Sequence, residues 1–346
     1  MQHKKMKNIF TIILLIGILT AAKAQDNHFS MFYNSPLSLN PAMTGLMVED
    51  IRAVVQHRSQ WQSVTVPYTT TLASIDANIM KGYLQNDFVG VGLMVYNDKA
   101  GDAEFRNTQV ALSASYNKDL SGEGNHYLSG GFQIGFGQQA VNFNKLLFDS
   151  QFDGQTLNPN IASGENLSRA NFVYLDMAAG AAWFFKPTKN TSAYAGIAIS
   201  HLNEPNMSFI QGTENPLYMK WTAHAGVEFP ITDGLSLIPR AVAMFQGPHR
   251  EVNVGGMLKF RVNSQLSDDY GQTAFYLGTM HRVGDAQIVI VKFDINKFSL
   301  AAAYDFNISG LDIASRSNGG FEIGITYRTW LFGTPSGSGP VGCPTF

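Results

Sequence analysis

The feature that most constrains this chain is a period-2 alternation of apolar and polar residues, in segments of about ten, recurring along its length. Across 109–117, Val110, Leu112, Ala114 and Tyr116 share one face and Gln109, Ser113, Ser115 and Asn117 the other. Successive side chains of a strand point to opposite sides, so this pattern describes a sheet with two unlike faces. The same division sets Leu128, Phe132, Ile134 and Phe136 against Tyr127, Ser129 and Gln133. It sets Trp221, Ala223, Ala225, Val227 and Phe229 against Thr222, His224, Gly226 and Glu228. Val252, Val254, Leu258, Phe260 and Val262 likewise oppose Asn253, Lys259, Arg261 and Asn263, and Phe298, Leu300, Ala302, Tyr304 and Phe306 oppose Ser299, Asp305 and Asn307.

Two architectures alternate in this way: a membrane barrel, apolar toward lipid and polar toward its lumen, and a soluble sandwich or propeller. Charge separates them. Only 14% of residues are Asp, Glu, Lys or Arg, against about 25% in soluble globular proteins, and the solvated face of a soluble sheet would need more. The 33 glycines and 12% aromatics point the same way. After the N-terminus no stretch approaches 18 uninterrupted apolar residues, which excludes a helical membrane protein. We therefore expect an all-β fold: an antiparallel transmembrane β-barrel of about fourteen strands. They are expected near 51–59, 68–79, 87–96, 106–118, 126–138, 173–184, 191–202, 219–229, 235–246, 251–263, 272–281, 286–293, 297–308 and 320–329. Connections at 121–124, 186–189 and 231–234 are short and carry turn residues. Those at 139–172, 202–218 and 309–319 are long, and all three fall at one end of an up-and-down barrel. Tyr96, Tyr116, Tyr127, Trp183, Phe184, Trp221, Phe229, Tyr304, Phe306, Tyr327 and Trp330 stand toward strand ends, the place of an interfacial aromatic girdle. Glycine is expected to relieve crowding on a curved wall.

The N-terminus reads as an export signal over 1–24. Lys4, Lys5 and Lys7 precede an apolar run from Ile9 to Ala22, and Ala22-Lys23-Ala24 gives a small-x-small cleavage site before Gln25. The run is too short for a spanning helix. The expected location is the outer membrane, with the N-terminus periplasmic after cleavage. Residues 25–50 form a pre-barrel segment, 51–330 the barrel and 331–346 a Gly/Pro-rich tail. The single cysteine, Cys343, has no internal partner.

The side chains that carry chemistry are scattered. His57, His126, His201, His224, His249 and His281 form no i, i+4 pair and no zinc-type motif. A phosphate-binding loop and a nucleophile elbow are missing. A formal net charge of -2 leaves no footprint for nucleic acid. No cofactor, no metal and no enzyme activity are expected.

Phe29 to Gly45 is too polar and proline-punctuated for a spanning strand, yet its Phe29, Phe32, Tyr33, Leu37 and Leu39 suit water badly. It is expected to pack against barrel or partner, a disordered periplasmic leader being the alternative. Pro36 and Pro41 bias Ser35 and Asn40 toward extended backbone, and Gly45 permits a positive φ that redirects the chain. If the segment plugs the lumen, Arg58 and Trp61 lie near neither Asn40 nor Pro41; if it instead climbs through the barrel, they can come close.

This opening, Asn40-Pro41-Ala42 with Gly45 and then Arg58-Ser59-Gln60-Trp61, resembles the PorP/SprF family of outer-membrane proteins of the Bacteroidetes. The stretch from Asn144 through Gln151 and Phe152 resembles it too, as does the strand opening Tyr174-Leu175-Asp176-Met177. The resemblance implies a part in type IX secretion and gliding motility. It also implies partners: a large secreted adhesin with a type B C-terminal sorting domain, other type IX components and a periplasmic peptidoglycan-linking protein, with outer-membrane lipid around the wall. Asn40, Pro41, Ala42, Gly45, Arg58, Gln60, Trp61, Gln151 and Phe152 are then candidate partner contacts. In the last strand Glu322, Gly324 and Tyr327 fit a barrel-insertion signal. A docking platform and a channel, either a porin or a transporter of small hydrophobic molecules, both suit this architecture.

Overall fold

Fourteen strands form where the alternation places them. The computed structural model describes residue 26 and residues 28–331, apart from 63–65, 81–82, 165–168, 189, 263–272 and 311–316. The leader at 1–24, the tail from 332 onward with Cys343, and Asn263 lie outside the described residues. The strands are β1 (Ile51–Gln60), β2 (Tyr68–Ile79), β3 (Phe88–Ala100), β4 (Phe105–Asp119) and β5 (His126–Ala140). There follow β6 (Asn171–Thr188), β7 (Thr191–Ser200), β8 (Lys220–Thr232), β9 (Leu235–Gln246) and β10 (His249–Arg261). Last come β11 (Ala274–Arg282), β12 (Ala286–Ile295), β13 (Phe298–Asn307) and β14 (Asn318–Thr329). Each pairs antiparallel with its sequence neighbours, and β1 pairs with β14 to close the barrel. Arg58 of β1 faces Glu322 of β14 across that seam.

The two faces divide as the pattern requires. Val110, Leu112, Phe132, Phe136, Val227, Phe229, Val254 and Ile325 are exposed on the outer wall, whereas Ser113, Ser129, His224, Asn253, Lys259 and Glu322 are buried in the lumen. Leu258 lies between them in exposure but on the outward side of its strand. Lys259 and Arg261 both reach Glu228 inside, at 2.9 and 3.4 Å. The aromatic girdle is smaller than expected. Tyr127 and Phe184 are buried in the lumen, and Tyr96 packs against an inner cluster with Leu72 and Met94. Aromatic rings that fill space near the ends of the lumen have the same sequence position as rings at the lipid interface.

The long connections, 141–170 after β5, 201–219 after β7 and 308–317 after β13, share one end, called the long-loop end below. Short turns such as 233–234 and 296–297 mark the other. Residues 29–47 occupy the lumen and are buried almost throughout. They form a 3-10 turn at Phe32–Asn34, one helical turn α1 (Pro36–Leu39) and a second 3-10 turn at Pro41–Met43. The largest apolar cluster lies inside, where Met31, Phe32, Tyr33 and Leu39 meet inward side chains including Met257, Ile288 and Ala303.

Candidate functional site

The filled lumen is where the chain concentrates its buried polar groups, and it is built by threading. Asp26 sits at the long-loop end. Its amide donates to Gln246 Oε1 (2.9 Å), and its carboxylate takes Lys220 Nζ (2.9 Å) and His201 Nε2 (2.6 Å). The other ring nitrogen of His201 meets Asp176 Oδ1 at 2.8 Å, and Gln109 donates to the second oxygen of Asp176 at 2.6 Å. Burial alone would lower the His201 pKa, but the two carboxylates beside it raise it to about 9. Burial would likewise raise Asp26, but Lys220 and His201 hold it well below the usual carboxylate range. At neutral pH His201 is therefore a cation that donates from both nitrogens. Nearby, His28 Nε2 lies 2.9 Å from Glu251.

One turn further in, the segment stitches the closing seam. The amides of Ser30 and Met31 donate to the two oxygens of Glu322 at 2.7 and 2.9 Å. The guanidinium of Arg58 bridges Glu322 (3.3 Å) and Asp305 (2.8 Å), and Arg282 reaches the same Asp305 at 3.2 Å. Gln56 donates to Glu322 Oε1 at 2.5 Å and to the Met31 carbonyl at 3.2 Å, and Ser35 hydrogen-bonds Gln56. Each charge here is buried, and each is opposed and hydrogen-bonded, the condition under which a buried ion network is tolerable.

The Asn40-Pro41-Ala42 motif then fits a track of glycines. Asn40 Oδ1 caps the turn that follows by accepting from the Ala42 amide (2.9 Å). Its Nδ2 donates to the carbonyls of Ala181 (3.0 Å) and Ile197 (3.2 Å) and sits 3.0 Å from His224 Nε2. A Cβ on Gly180 or Gly196 would come under 3.0 Å from the Asn40 amide, and one on Gly131 under 3.0 Å from the backbone of Pro41 and Ala42. The wall also bonds to this backbone, Ser129 Oγ to the Ala42 carbonyl and Ser115 Oγ to that of Thr44, each at 2.6 Å. Gly45, at φ +68°, turns the chain toward β1. Its amide donates to Asp76 (2.8 Å), which Arg52 clamps at 2.7 Å. These wall glycines seat the segment, a role that curvature relief does not cover.

The segment thus starts at the long-loop end and leaves at the short-turn end, where Asp50 bonds the Thr329 carbonyl (3.1 Å). The structure puts the segment's start, at Asp26, at the end opposite the start of β1. The segment climbs through the barrel, yet Arg58 contacts Ser30 (Nη1 to Ser30 Oγ 2.5 Å) and none of the Asn40 motif, the separation expected of a plug. Trp61 packs at a tilt against Tyr68 (5.0 Å between centroids) and Gln60 ends β1 opposite Gly320. Gln151 is buried inside its own loop, bonding the Ile161 carbonyl (2.8 Å), while Phe152 beside it is exposed. The candidates therefore split into a lumen set, Asn40, Pro41, Ala42, Gly45 and Arg58, and a long-loop-end set, Gln60, Trp61, Gln151 and Phe152. Of the last-strand set, Glu322 and Gly324 face the lumen and Tyr327 sits on the outward side. Sequence reasoning missed Asp26, Ser30, Asp176, His201 and Lys220 as site residues; inward register on strands or strand ends could have flagged Asp176, His201 and Lys220, whereas Asp26 and Ser30 lie in the segment and carry no such signal.

Above the segment, a cavity of about 190 Å³ opens toward the long loops, lined by Asp26, Phe29, Tyr96, Gln133, Tyr174 and His201 among others. Among the described residues no group of His, Cys, Asp and Glu has metal-binding geometry.

Residues 21–327 match the family described as type IX secretion system membrane protein PorP/SprF. No curated protein matches the chain. Among solved structures it is similar to the toluene transporter TbuX of Ralstonia pickettii, at 12% identity over 88% of this chain and 96% of that one, TM-score 0.48. The toluene transporter TodX of Pseudomonas putida is similar at 12% identity over 86% and 94%, TM-score 0.48. The KdgM porin is similar at 8% identity over 80% and 98%, TM-score 0.37.

Proposed function

The chain belongs to the PorP/SprF family of type IX secretion system membrane proteins, and from that premise we propose that it is an outer-membrane docking platform. In this reading it holds the type B C-terminal domain of a large adhesin during secretion or surface attachment. The observation that carries the reading is the lumen itself. Residues 29–47 fill it and are bonded to its wall from Glu322 down to Asp76. A barrel sealed by its own chain offers a partner its rim and its long connections, 141–170 and 201–219, as the working surface. With those connections facing the cell exterior, Asp26 stands at the surface end and β1 begins at the periplasmic end.

The test is shortening of 141–170 to a tight turn in a strain that carries the adhesin. A barrel that still runs as a heat-modifiable band while surface adhesin is lost supports docking. Full display with the shortened loop overturns it, and steady ion conductance of the intact protein in planar bilayers would favour the channel instead.

A further inference from the structure

The lower half of the lumen, on the side walled by β8 to β14, carries more positive charge than its own carboxylates neutralise. Its inward side chains include Arg240, Lys259, Arg261, Lys292 and Arg328, all buried or nearly so. The carboxylates facing them are Glu228 and Asp294, with Glu322 on the far side of Tyr33, and all three are already engaged. Glu228 takes Lys259 (2.9 Å) and Arg261 (3.4 Å). Asp294 takes Lys292 (3.5 Å), Arg328 (4.0 Å), Tyr276 (2.6 Å) and Ser299 (2.5 Å). The nearby Arg52 is spent on Asp76.

Arg240 is left over. Its side chain is almost wholly buried, with 6% of the residue exposed, and its Nε and Nη1 have no hydrogen-bond partner. Among the described residues no carboxylate lies within ion-pair distance of it. What it touches is the Tyr33 ring of the N-terminal segment, 4.0 Å below its Cζ. The ring's quadrupole offsets part of the lost hydration of a guanidinium, but supplies no acceptor to its N–H groups. The register partners of Arg240 are Gly226 on one side and Gly255 on the other, so neither adjacent strand puts a side chain directly beside it.

A second unsatisfied group stands next to it. Asn253 is fully buried, and neither its Oδ1 nor its Nδ2 has a partner. It pairs with Val242, two residues along β9 from Arg240, which makes the two side chains diagonal neighbours on the inner face. Tyr33 is under-used as well, since its hydroxyl meets only the thioether of Met257 at 3.4 Å. A lysine in such a place could shed its proton, but an arginine cannot. Water would answer the orphaned N–H groups and leave the charge uncompensated, and an uncompensated buried charge is among the most destabilising features a fold can hold.

We propose that Arg240, Asn253 and Tyr33 form a binding site for a small oxyanion, such as phosphate or a carboxylate, enclosed between the N-terminal segment and the wall. The guanidinium fork takes two oxygens, the Asn253 amide donates to one of them, and the Tyr33 hydroxyl turns from Met257 to the anion. Lys259, Lys292 and Arg328 add a positive field without direct contact. Because one ligand comes from the segment and two from the barrel, the anion also ties the segment in place.

The experiment uses the purified, detergent-solubilised barrel with the segment present. Inorganic phosphate and acetate are titrated, with sodium chloride at matched ionic strength as reference. Thermal loss of the heat-modifiable band is followed, and native mass spectrometry reads the anion adduct. The wild type should show a saturable rise in midpoint and a one-anion adduct with at least one of the two oxyanions. Arg240→Gln should lose both, and Asn253→Ala, which keeps the charge, should bind at least about tenfold more weakly, the loss expected for a hydrogen bond to a charged group. If Arg240→Gln does not assemble, the Asn253→Ala comparison and the wild-type adduct decide alone. A wild-type response no larger than that to chloride, or equal saturable responses in wild type and both variants, overturns the site.

Discussion

If the wall glycines are seats for the N-terminal segment, two adjacent glycines should respond oppositely to the same methyl group. Gly131 faces the lumen, and a Cβ there would press under 3.0 Å from the backbone of Pro41 and Ala42. Backbone cannot swing aside as a flexible side chain would, so Gly131→Ala must lift the segment or bend the wall. Overpacking of this kind destabilises by about 1–3 kcal/mol. Because the segment joins the barrel covalently only at β1, most of that strain falls on the seating equilibrium and little on the sheet. At roughly 1.4 kcal/mol per factor of ten, the unseated population rises about 5- to 150-fold. Gly130 faces outward, and a Cβ there meets nothing within 4 Å. The assay is maleimide labelling of Met47→Cys, a position only 1% exposed, with Cys343 replaced by Ser so that the probe is unique. A buried thiol is labelled only through opening, so its rate reports the open population. Gly131→Ala should label faster by that factor and Gly130→Ala at the parental rate. Equal rates in the two variants would refute the seating argument.

Leu258→Arg puts a charge on the lipid side, at a cost of about 2–4 kcal/mol near the midplane, whereas Lys259→Leu still leaves Glu228 its contact with Arg261; the heat-modifiable fraction should fall far more for the first, and equal tolerance would mean that the facing is wrong. Glu322→Leu removes the acceptor of two backbone amides and one of the partners of Arg58, which should destabilise by about 3–5 kcal/mol, read as a lower thermal midpoint with a smaller loss in Glu322→Gln. The Asp26–His201 contact gives a pH window. His201, raised to about 9, contributes fully below its unfolded value near 6.5 and loses that contribution as pH climbs through 9, while Asp26, held below 3.8, contributes above that value and loses it in stronger acid. A Phe29→Cys probe, normalised to a free thiol, should label slowest between about pH 4 and 6.5, with an alkaline rise near 9 that His201→Ala abolishes; a flat wild-type profile through pH 9 would remove the clamp.

What the sequence discloses here is what a strand encodes locally. Alternation has a period of two residues, so it survives without any knowledge of partners, and it places Lys259 inside and Val254 outside correctly. The positive φ of Gly45 and the burial of an aromatic, proline-punctuated segment against barrel or partner are legible for the same reason. The site was not, because its contacts are distant in the chain: Ser30 meets Glu322 across 292 positions, and Asp26 meets His201 across 175. No local pattern marks Gly131 and Gly180 as seats and Gly130 as free, since the distinction lies in what threads past them. Tyr127 and Phe184 were misplaced on the same ground, because an inward ring and an interfacial ring look alike until register is known.

The placement of Glu322 joins two properties that the sequence presented separately, a family motif around Arg58 and a closing strand. Arg58 and Glu322 are opposed across the β1–β14 seam, the last pairing a barrel of this connectivity has to make. The same carboxylate accepts both amides of Ser30 and Met31. Because the segment begins at the long-loop end and leaves at the short-turn end, it runs past this seam along the lumen. The segment that excludes water from Glu322 also supplies the donors that replace it, and without the closed seam the segment's amides would lack this acceptor. Each half thus supplies hydrogen-bond partners that the other needs once the lumen is filled.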